Sequence, residues 1–494
     1  MQEYGTVIST VDSPCTRKFS FVVKKEAGVR KGQFVQLDMA DGKLIARVSD
    51  VFKTNRYFMR PDSVKEYESS GAAMSEIFPT DNWEYLVAEV VPLGVFSNNA
   101  FHEVSVPPSP GMRVKEPDLS ILAKFFGFDE KGIEVGSVPY HDIKVSLNMT
   151  KLLHKHLAIL AISGAGKSYL TSVLIEELLN NKKPVSVVVI DTHGEYTSFA
   201  EDPDYAGKVT VLKPKDIKIG LPNLSVNQLA EFIPKLSFAQ ARELSRIMKS
   251  LKGEYTIEGL IESVEKDKQA KPTTKDVLVS VLTELEDLEI FDIMDKPGLT
   301  EIAKQGRMCI IDVSEVVNVR KKQIVVAHIA EKLFNARRAE TVPPFLLIVE
   351  EAHQFAPETA KRERAISRGI IQTIAREGRK FHACLCLISQ RPIQLSTTAL
   401  SQCNTQIILR VTNPYDLDHI GKSSEGITKD VLGQISGLRI GSGLIVGEAV
   451  NFPVFVQIRK RKSKEPRVGM SLEQAIADYE DRSKKKLEDS KAFM

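Results

Sequence analysis

The sequence A-I-S-G-A-G-K-S at Ala161–Ser168 decides the fold of this chain. It follows the apolar run Leu157–Leu160 and precedes an apolar-periodic stretch, Tyr169–Leu179. This order predicts a strand, a glycine-bearing loop and a helix, which is the arrangement that wraps a triphosphate. Backbone N–H groups of such a loop point at the phosphates, and the helix N-terminus adds the positive end of its dipole. The residues expected to bind the nucleotide are Ser163, Gly164, Ala165, Gly166, Lys167, Ser168 and Tyr169.

Two side chains of this loop have expected roles. Lys167 can reach the β- and γ-phosphates, and the hydroxyl of Ser168 can bind Mg²⁺. The loop departs from the usual G-x-x-x-x-G-K-[ST] pattern at its first position, where Ala161 replaces glycine. Alanine is tolerated there if its φ is negative. We therefore expect a slightly altered loop that still binds phosphate.

Composition limits the class of protein. A chain of 494 residues is too long for one hydrophobic core, so several domains are expected. The hydrophobic content of 43% and the charged content of 27% are those of a soluble globular protein. The net charge of +3 is too small to indicate a nucleic-acid partner by itself. No apolar run approaches the ~20 residues that span a bilayer, and the five cysteines lack metal-ligand spacing. We expect a cytoplasmic protein with no membrane contact.

The patterning divides the chain into five parts. Short alternating runs such as Phe19–Val23 and Gly32–Leu37, with a turn at Asp41-Gly42, predict a small β-barrel. Continuous β-branched runs further along predict an α/β domain with a parallel sheet covered on both faces. The expected domains are a barrel at 1–145, a first part of the α/β core at 146–220, a helical insertion at 221–300, a second part of the core at 301–458 and a C-terminal extension at 459–494.

Six runs are expected to form the buried strands of the parallel sheet: His156–Ala161, Val185–Ile190, Met308–Val313, Phe345–Val349, Ala383–Ile388 and Thr405–Val411. Helix formers dominate the intervening segment from Ser225 to Phe291, and Ser225 and Ser237 are expected helix caps. The basic segment that follows Arg459 has two open interpretations. It is either a solvated tail or a strap over a neighbouring subunit or over DNA.

Two acids end the strand Phe345–Val349. In P-loop ATPases the first such acid, here Glu350, contacts the hydrated metal, and the second, Glu351, polarises the attacking water. Adjacent residues of a strand point to opposite faces, so the strand end must bend for both to reach one nucleotide. Asp191 ends another strand, and ligands gather at the carboxyl ends of parallel strands. The expected metal site is therefore Ser168, Glu350 and Asp191, with Glu195 as a further carboxylate.

The strand Ala383–Ile388 ends in S-Q-R-P at 389–392. A polar residue at that strand end, beside the γ-phosphate, can sense hydrolysis by hydrogen bonding. Gln390 is the expected sensor, and Asn404 is a second candidate.

Arginines complete the expected catalytic set. A guanidinium presented to the γ-phosphate of a neighbouring subunit stabilises the charge of the transition state. Arg376 and Arg379 are the leading candidates, and Arg391 and Arg410 stay open. A finger that acts in trans requires a ring of subunits.

The ordered set of motifs resembles the HerA-type hexameric translocase ATPases of archaea, within the HerA/FtsK superfamily. The motifs that carry the resemblance are H-L-A-I-L-A-I-S-G-A-G-K-S at 156–168, D-T-H-G-E-Y at 191–196, L-L-I-V-E-E-A-H at 346–353, R-E-G-R-K-F-H at 376–382 and S-Q-R-P at 389–392. G-Q-F-V at 32–35 looks like the barrel domain of that family.

The resemblance implies a RecA-like P-loop core with an N-terminal barrel, a helical-bundle insertion and a C-terminal strap. It implies a homo-hexamer that threads double-stranded DNA using ATP and Mg²⁺. It also implies work in DNA-end resection and homologous recombination with a NurA-like nuclease, which docks on the barrel, alongside Mre11–Rad50. On this resemblance Glu351 is the catalytic glutamate, Gln390 the sensor, and Arg376 or Arg379 the finger.

Two other functions stay open. E-E-A-H at 350–353 resembles the DEAH box of strand-separating superfamily 2 helicases, although no other motif of that group is present. The second alternative is a nucleotide-switched scaffold that assembles a nuclease. The candidate residues for the lining of a DNA pore are Lys361, Arg362, Arg364 and Arg368, and an exposed helix face explains this basic run equally well.

Overall fold

The computed structural model of the protein describes residues 1–9, 13–55, 58, 61–69, 84–233, 236–251, 253–359, 365–424 and 426–465, with six further residues between 473 and 480. Lys361, Arg362 and Arg364 of the predicted basic run lie outside the described residues. So does most of the predicted C-terminal extension.

The described chain divides into two compact units. The first comprises Met1–Gly132, Gly136–Leu147 and Val450–Gln457, and the second comprises Ile133–Val135, Asn148–Ala449 and the residues from Ile458 onward. The expected domain boundaries follow sequence order, whereas the short segment Val450–Gln457 groups with the N-terminal residues. The boundaries themselves stay predictions.

The first unit contains a closed six-stranded barrel. Its strands pair in the order β2-β1-β7-β3-β4-β5, and a β2–β5 pairing closes the circle, with Phe19 opposite Val90. Alternating buried side chains such as Phe21, Val35 and Leu44 fill the interior. The barrel predicted from these alternating runs is confirmed. The six barrel strands are β1 Glu3–Ile8, β2 Phe19–Val23, β3 Phe34–Met39, β4 Gly42–Asn55, β5 Glu84–Ser97 and β7 Arg113–Lys115, and β6 Ala100–His102 pairs with β5 outside the closed circle.

The further helices and strands described before residue 148 are two helices and two strands. They are α1 Pro61–Ser69, α2 Leu119–Phe126, β8 Ile133–Ser137 and β9 Lys144–Leu147. Helix α2 begins at the cap Asp118, whose side chain accepts from two backbone N–H groups, and ends at Gly127 with φ 75°. Both ends follow the capping rules for helices.

The second unit is built on a sheet whose first seven strands are parallel neighbours. The order of these seven is β12-β15-β11-β16-β17-β10-β18, and β19 pairs antiparallel with β18. The strands of the chain from residue 157 onward are β10 Leu157–Leu160, β11 Ser186–Asp191, β12 Val209–Leu212, β13 Ile219–Gly220, β14 Phe291–Asp292, β15 Met308–Asp312, β16 Phe345–Val349, β17 Ala383–Ser389, β18 Thr405–Ile408, β19 Ser442–Gly447 and β20 Val454–Ile458. Of these, β13 and β14 form a separate two-stranded sheet, and most of β20 lies in the segment that groups with the first unit. All six predicted buried strands are present, each shifted by three residues at most at either end.

Strand β10 lies between β17 and β18, with Leu157 paired to Cys386 on one side and Thr405 on the other. The P-loop therefore leaves the sheet at an interior position. Strands β10, β16 and β17 are buried along their whole length, which fits a sheet covered by helices on both faces.

The helices of the second unit flank this sheet. They are α3 Met149–Leu153, α4 Lys167–Asn180, α5 Val226–Phe232, α6 Phe238–Ser250, α7 Ile257–Lys266, α8 Pro272–Glu286, α9 Leu299–Ile302, α10 Val319–Arg338, α11 Ala352–Phe355, α12 Arg368–Glu377, α13 Thr397–Leu400, α14 Pro414–Ser423 and α15 Lys429–Ile435. Among the described residues, no helix is both long enough and apolar enough to cross a bilayer.

Helices α5 to α8 form an insertion in the chain between the short paired strands β13 and β14. The two serines expected as caps start α5 and α6. Ser225 Oγ accepts from Gln228 N at 3.2 Å, and Ser237 Oγ accepts from Gln240 N at 3.3 Å. Both caps are capping boxes, because the glutamine side chain bonds back to the serine backbone.

A buried histidine fixes the start of the P-loop strand. His156 has φ 62°, is 1% exposed, and its Nδ1 accepts from the N–H of Leu385 at 3.0 Å. Its Nε2 therefore carries the proton and donates to the carbonyl of Ala375 at 3.0 Å. Burial lowers the pKa of His156 to about 4. The neutral ring ties β10 to β17 and to the end of α12.

The titration of His156 predicts acid destabilisation. Below pH 6.5 the unfolded chain binds a proton that folded His156 does not accept until about pH 4. Stability should therefore fall with decreasing pH in this window, by about 1.4 kcal/mol per pH unit for one histidine. His156→Asn should remove that share of the slope in denaturant unfolding measured between pH 6.5 and 4.5.

Asparagine is a suitable replacement because it tolerates positive φ and supplies an acceptor for Leu385 N–H. His141 and His353, whose pKa values burial also lowers to about 4, keep their share of the slope in this variant. A variant with the slope of the native protein would show that His156 is not held neutral by the fold.

Candidate nucleotide and metal site

The loop between β10 and α4 has the backbone of a phosphate-binding loop. Gly164 and Gly166 have φ of 73° and 100°, and an added Cβ at either would meet no atom within 4 Å. Backbone conformation therefore requires the two glycines, because positive φ is strained for other residues. Ala161 is fully buried and is not among the residues with positive φ. The missing first glycine therefore costs no backbone strain.

Lys167 and Ser168 open helix α4 at the carboxyl edge of the sheet. Lys167 Nζ donates to the carbonyl of Ile162 at 3.3 Å. Burial lowers the pKa of Lys167, and nearby carboxylates oppose this shift. Ser168 Oγ donates to Glu195 Oε2. Both side chains expected to bind phosphate and Mg²⁺ thus face acids that other strands supply.

Asp191 organises the loop that follows β11. Its Oδ1 accepts from the N–H groups of His193, Gly194 and Glu195 at 3.2, 2.7 and 3.2 Å, and its Oδ2 accepts from Tyr196 N at 3.0 Å. The side chain is completely buried. Burial raises the pKa of Asp191, and these hydrogen bonds oppose the shift. The geometry makes Asp191 the anchor of the loop, and its expected role as a metal ligand stays a prediction.

Glu350 lies directly beyond β16 and is 2% exposed. Its Oε2 accepts from the N–H and the hydroxyl of Thr192 at 2.8 and 2.9 Å. Burial and the negative charges of Asp191 and Glu195 raise the pKa of Glu350 to about 9. The group is therefore held where its ionised form is costly in the absence of a cation.

Glu351 is the residue at which the strand end bends. Its φ is 48°, the left-handed region that is uncommon for residues other than glycine. This is the bend that two adjacent acids need to face one site. Such a conformation costs about 1–3 kcal/mol and is found chiefly at functional sites. Burial raises the pKa of Glu351, and Lys167 and His193 oppose the shift.

One carboxylate oxygen of Glu351 is buried without a hydrogen-bond partner among the described residues. His353 Nδ1 lies 3.2 Å from this oxygen but is engaged with Ser389 Oγ at 3.1 Å. Burial lowers the pKa of His353 to about 4, so the ring is neutral at pH 7. The oxygen is thus available to accept a hydrogen bond from water.

Gln390 follows β17 and lies beside the P-loop. It lines a cavity of about 460 Å³ together with Ile162, Ser163, Arg391 and Asp416. Its role as a sensor stays a prediction. Asn404 precedes β18 and bonds through its backbone to Lys155 and Glu448. It therefore lies at the amino edge of the sheet, away from the P-loop.

The arginines lie at two different edges of the sheet. Arg391 and Arg410 follow β17 and β18, at the carboxyl edge that carries the P-loop. Arg376 and Arg379 come just before β17, at the amino edge, and both are exposed. Neither can reach the P-loop of its own chain, so either would have to act on a neighbouring subunit.

The residues around Ser168 fit a magnesium ion. A hydroxyl and several carboxylates converge there with one lysine, and oxygen ligands are those that Mg²⁺ prefers. Within the described residues, no three His, Cys, Asp or Glu side chains form a metal cluster by themselves. In nucleotide sites Mg²⁺ is commonly held by one or two protein ligands together with phosphate and water.

Two features of the site were underestimated from sequence. Thr192 supplies both donors to Glu350 Oε2, and Glu195 rather than Asp191 reaches Ser168. The sequence D-T-H-G-E-Y contained the signal, because His193–Tyr196 stand two to five positions after Asp191, where its carboxylate can accept hydrogen bonds from their backbone N–H groups. Asp side chains commonly cap backbone turns in this way.

The geometry can be compared with known proteins. A family model described as the central domain of helicase HerA matches residues 133–333. The "DNA double-strand break repair helicase HerA" of Pyrococcus furiosus is 28% identical over 91% of this chain and 91% of its own length. The protein of the same name from Saccharolobus solfataricus is 27% identical over 88% of this chain and 89% of its own. The chain is thus similar to these HerA helicases over most of its length.

These matches confirm the resemblance predicted from the motifs and the expectation of an ATP-hydrolysing enzyme. The solved structure of VirB4 of Thermoanaerobacter pseudethanolicus aligns with a TM-score of 0.54 at 15% identity, covering 68% of this chain and 98% of its own. This likeness shows a shared fold. It agrees with the predicted α/β class.

The roles of Asp191 and Glu195 can be separated by stability. Asp191→Asn should lower the free energy of unfolding by about 1–3 kcal/mol without any nucleotide or metal, because an amide nitrogen replaces Oδ2 and the buried N–H of Tyr196 loses its acceptor. Glu195→Gln should change it by less than about 1 kcal/mol, because the loop keeps its anchor. Denaturant unfolding of both variants in EDTA checks this.

Titration of each variant with Mg²⁺ and an ATP analogue is the complementary measurement. Glu195→Gln should weaken Mg²⁺-dependent binding while its fold stays intact. If Asp191→Asn is as stable as the native protein in EDTA and loses only Mg²⁺ binding, Asp191 is a ligand and not the loop anchor.

Proposed function

We propose that this protein hydrolyses ATP to move along double-stranded DNA in the repair of double-strand breaks. The observation that carries the proposal is a cluster at the carboxyl edge of the sheet, where Lys167 and Ser168 follow β10 and Glu350 and Glu351 follow β16. One carboxylate oxygen of Glu351 is buried there without a hydrogen-bond partner among the described residues. The similarity to HerA repair helicases over most of the chain supports DNA as the track.

The chain's own residues then have defined tasks. The P-loop amides and Lys167 bind the phosphates, and Ser168 and Glu350 hold a hydrated Mg²⁺, which supplies charge stabilisation for the transferred phosphoryl group. Glu351 accepts a proton from the attacking water, whose approach its bent backbone directs. Gln390 detects the γ-phosphate by hydrogen bonding and relays its loss to the loop after β17.

The assembly belongs to the proposal too. We place six copies in a ring around the duplex, with Arg376 or Arg379 of each copy at the nucleotide of the next. A NurA-like nuclease docks on the barrel, and Mre11–Rad50 acts in the same process. Contacts to DNA fall mostly on phosphates, since a translocase must tolerate any sequence. We place this activity in the cytoplasm.

Steady-state hydrolysis tests the motor. We expect turnover to rise more with blunt duplex than with single-stranded DNA, with the nuclease either absent or present. Glu351→Gln is the matched control, because it should keep ATP binding and lose turnover by about 10²–10⁴-fold. Absence of any response to DNA would favour the scaffold that assembles a nuclease, and preference for single strands would favour a strand-separating helicase.

Mixed assemblies test the arginine finger. Arg376→Ala or Arg379→Ala subunits keep Lys167, while Lys167→Ala subunits keep both arginines. If the finger acts in trans, an assembly of one variant alone should be inactive. Mixing the arginine variant with Lys167→Ala at equal ratio should restore activity at about a quarter of the interfaces, where a subunit that keeps Lys167 meets a neighbour that keeps the arginine. The readout is hydrolysis against mixing ratio. If neither arginine variant loses activity, the finger lies elsewhere, with Arg391 and Arg410 next to be tested.

A further inference from the structure

A basic segment near the C-terminal end of the described chain lies on helix α4, the helix that follows the P-loop. Residues Arg459–Ser463, called here the basic strap, contact helix α4, whose first turn carries Lys167 and Ser168. The sequence left open whether this region is a solvated tail or a strap over a neighbour. Its described part packs on its own chain.

The strap satisfies a buried charge of helix α4. Glu176 is completely buried. Its Oε2 accepts from Arg459 Nη1 at 2.8 Å, and its Oε1 accepts from the N–H of Lys462 at 2.8 Å and from the N–H and hydroxyl of Ser463, both at 2.7 Å. A buried carboxylate is tolerated only when such donors replace water. All four of these donors belong to the strap, so the strap is an integral part of the helix's environment.

One residue of the strap contacts both sides of the nucleotide site. The N–H of Arg461 donates to the hydroxyl of Tyr169 at 2.7 Å, next to Ser168 in the first turn of α4. The Arg461 guanidinium lies 5.0 Å from the ring centre of Phe199 and donates to Ser198 Oγ at 3.2 Å.

The contact of the Arg461 guanidinium with Ser198 and Phe199 connects the strap to Glu195, the acid that accepts from Ser168. Ser198 and Phe199 lie in the 3₁₀ helix Thr197–Glu201, which starts one residue after the loop Asp191–Tyr196 that Asp191 anchors. That loop presents Glu195 to Ser168. Arg461 therefore joins the element that carries Ser168 to the element that carries Glu195.

We propose that the basic strap positions the nucleotide site, with Arg461 setting the spacing between the first turn of α4 and the Glu195 loop. Arg461 acts through Tyr169 and Phe199. It is a positioning residue and not a catalytic one. The inference rests on the proposed hydrolysis of ATP at this site. Phosphate and metal ligands on separate elements bind well only if their separation is held by supporting contacts.

The test separates nucleotide affinity from turnover. Arg461→Ala should raise the KM for ATP and the Kd for Mg²⁺-ATP about three- to tenfold, the range for one lost hydrogen bond. The kcat per folded molecule should stay within about twofold of native, since no reacting group changes. Tyr169→Phe removes the acceptor for the strap N–H and should act in the same direction. In the double variant the two effects should not add, because both interrupt one connection.

Lys208→Ala is the matched control. Lys208 Nζ bonds at 3.1 Å to Leu179 O and Asn180 Oδ1 in the last turn of the same helix. Its loss should loosen α4 without moving the nucleotide site, so KM should stay unchanged even if the melting temperature falls. A purely structural strap would lower thermal stability in both variants and raise KM in neither.

The outcomes distinguish this inference from the proposed function. An unchanged KM and Kd in Arg461→Ala, or an equal rise in Lys208→Ala, would overturn the positioning role while leaving ATP hydrolysis intact. If the native protein binds Mg²⁺-ATP without hydrolysing it, the proposed function fails. The Kd comparison, measured by calorimetry, still decides whether the strap positions the site.

Discussion

The structure depends on the crowding of carboxylates around one lysine at the carboxyl edge of the sheet. Asp191, Glu195, Glu350 and Glu351 lie close enough to influence one another or Lys167. Burial raises the pKa values of Asp191, Glu350 and Glu351, and the negative charges of neighbouring carboxylates raise those of Glu350 and Glu351 further. The fold offsets part of the cost of these buried charges with hydrogen-bond donors. A bound cation would offset the rest.

The need to bring carboxylates to one site also explains why the backbone is strained at Glu351. Two adjacent acids can serve one site only if the chain turns between them, and Glu351 takes the left-handed conformation that achieves this. Strand β16 is completely buried before it, and Phe355 of the following helix is buried after it. Rigid flanks of this kind hold a conformation that a free chain would leave. The strained residue is thus the one that holds a buried carboxylate oxygen without a hydrogen-bond partner among the described residues.

Sequence reasoning succeeded where the pattern is local. The six β-branched runs, the serine caps at Ser225 and Ser237 and the P-loop are each written in a few consecutive residues. Sequence reasoning did not predict contacts between segments that are far apart in the sequence. Nothing in the spacing shows that Glu176 receives its donors from residues about 285 positions later, or that Val450–Gln457 groups with the N-terminal unit. Buried charge in an otherwise apolar helix was the available signal for Glu176, because such a group needs a partner.

The two edges of the sheet also bear on assembly. The phosphate loop and its acids occupy the carboxyl edge, whereas Arg376 and Arg379 occupy the amino edge of the same sheet and are exposed. One chain cannot bring these groups together, because the strands themselves separate them. If either arginine is a finger, the site becomes complete only when the amino edge of one copy meets the carboxyl edge of the next. Such a contact joins different surfaces, and when its repetition closes it generates a ring.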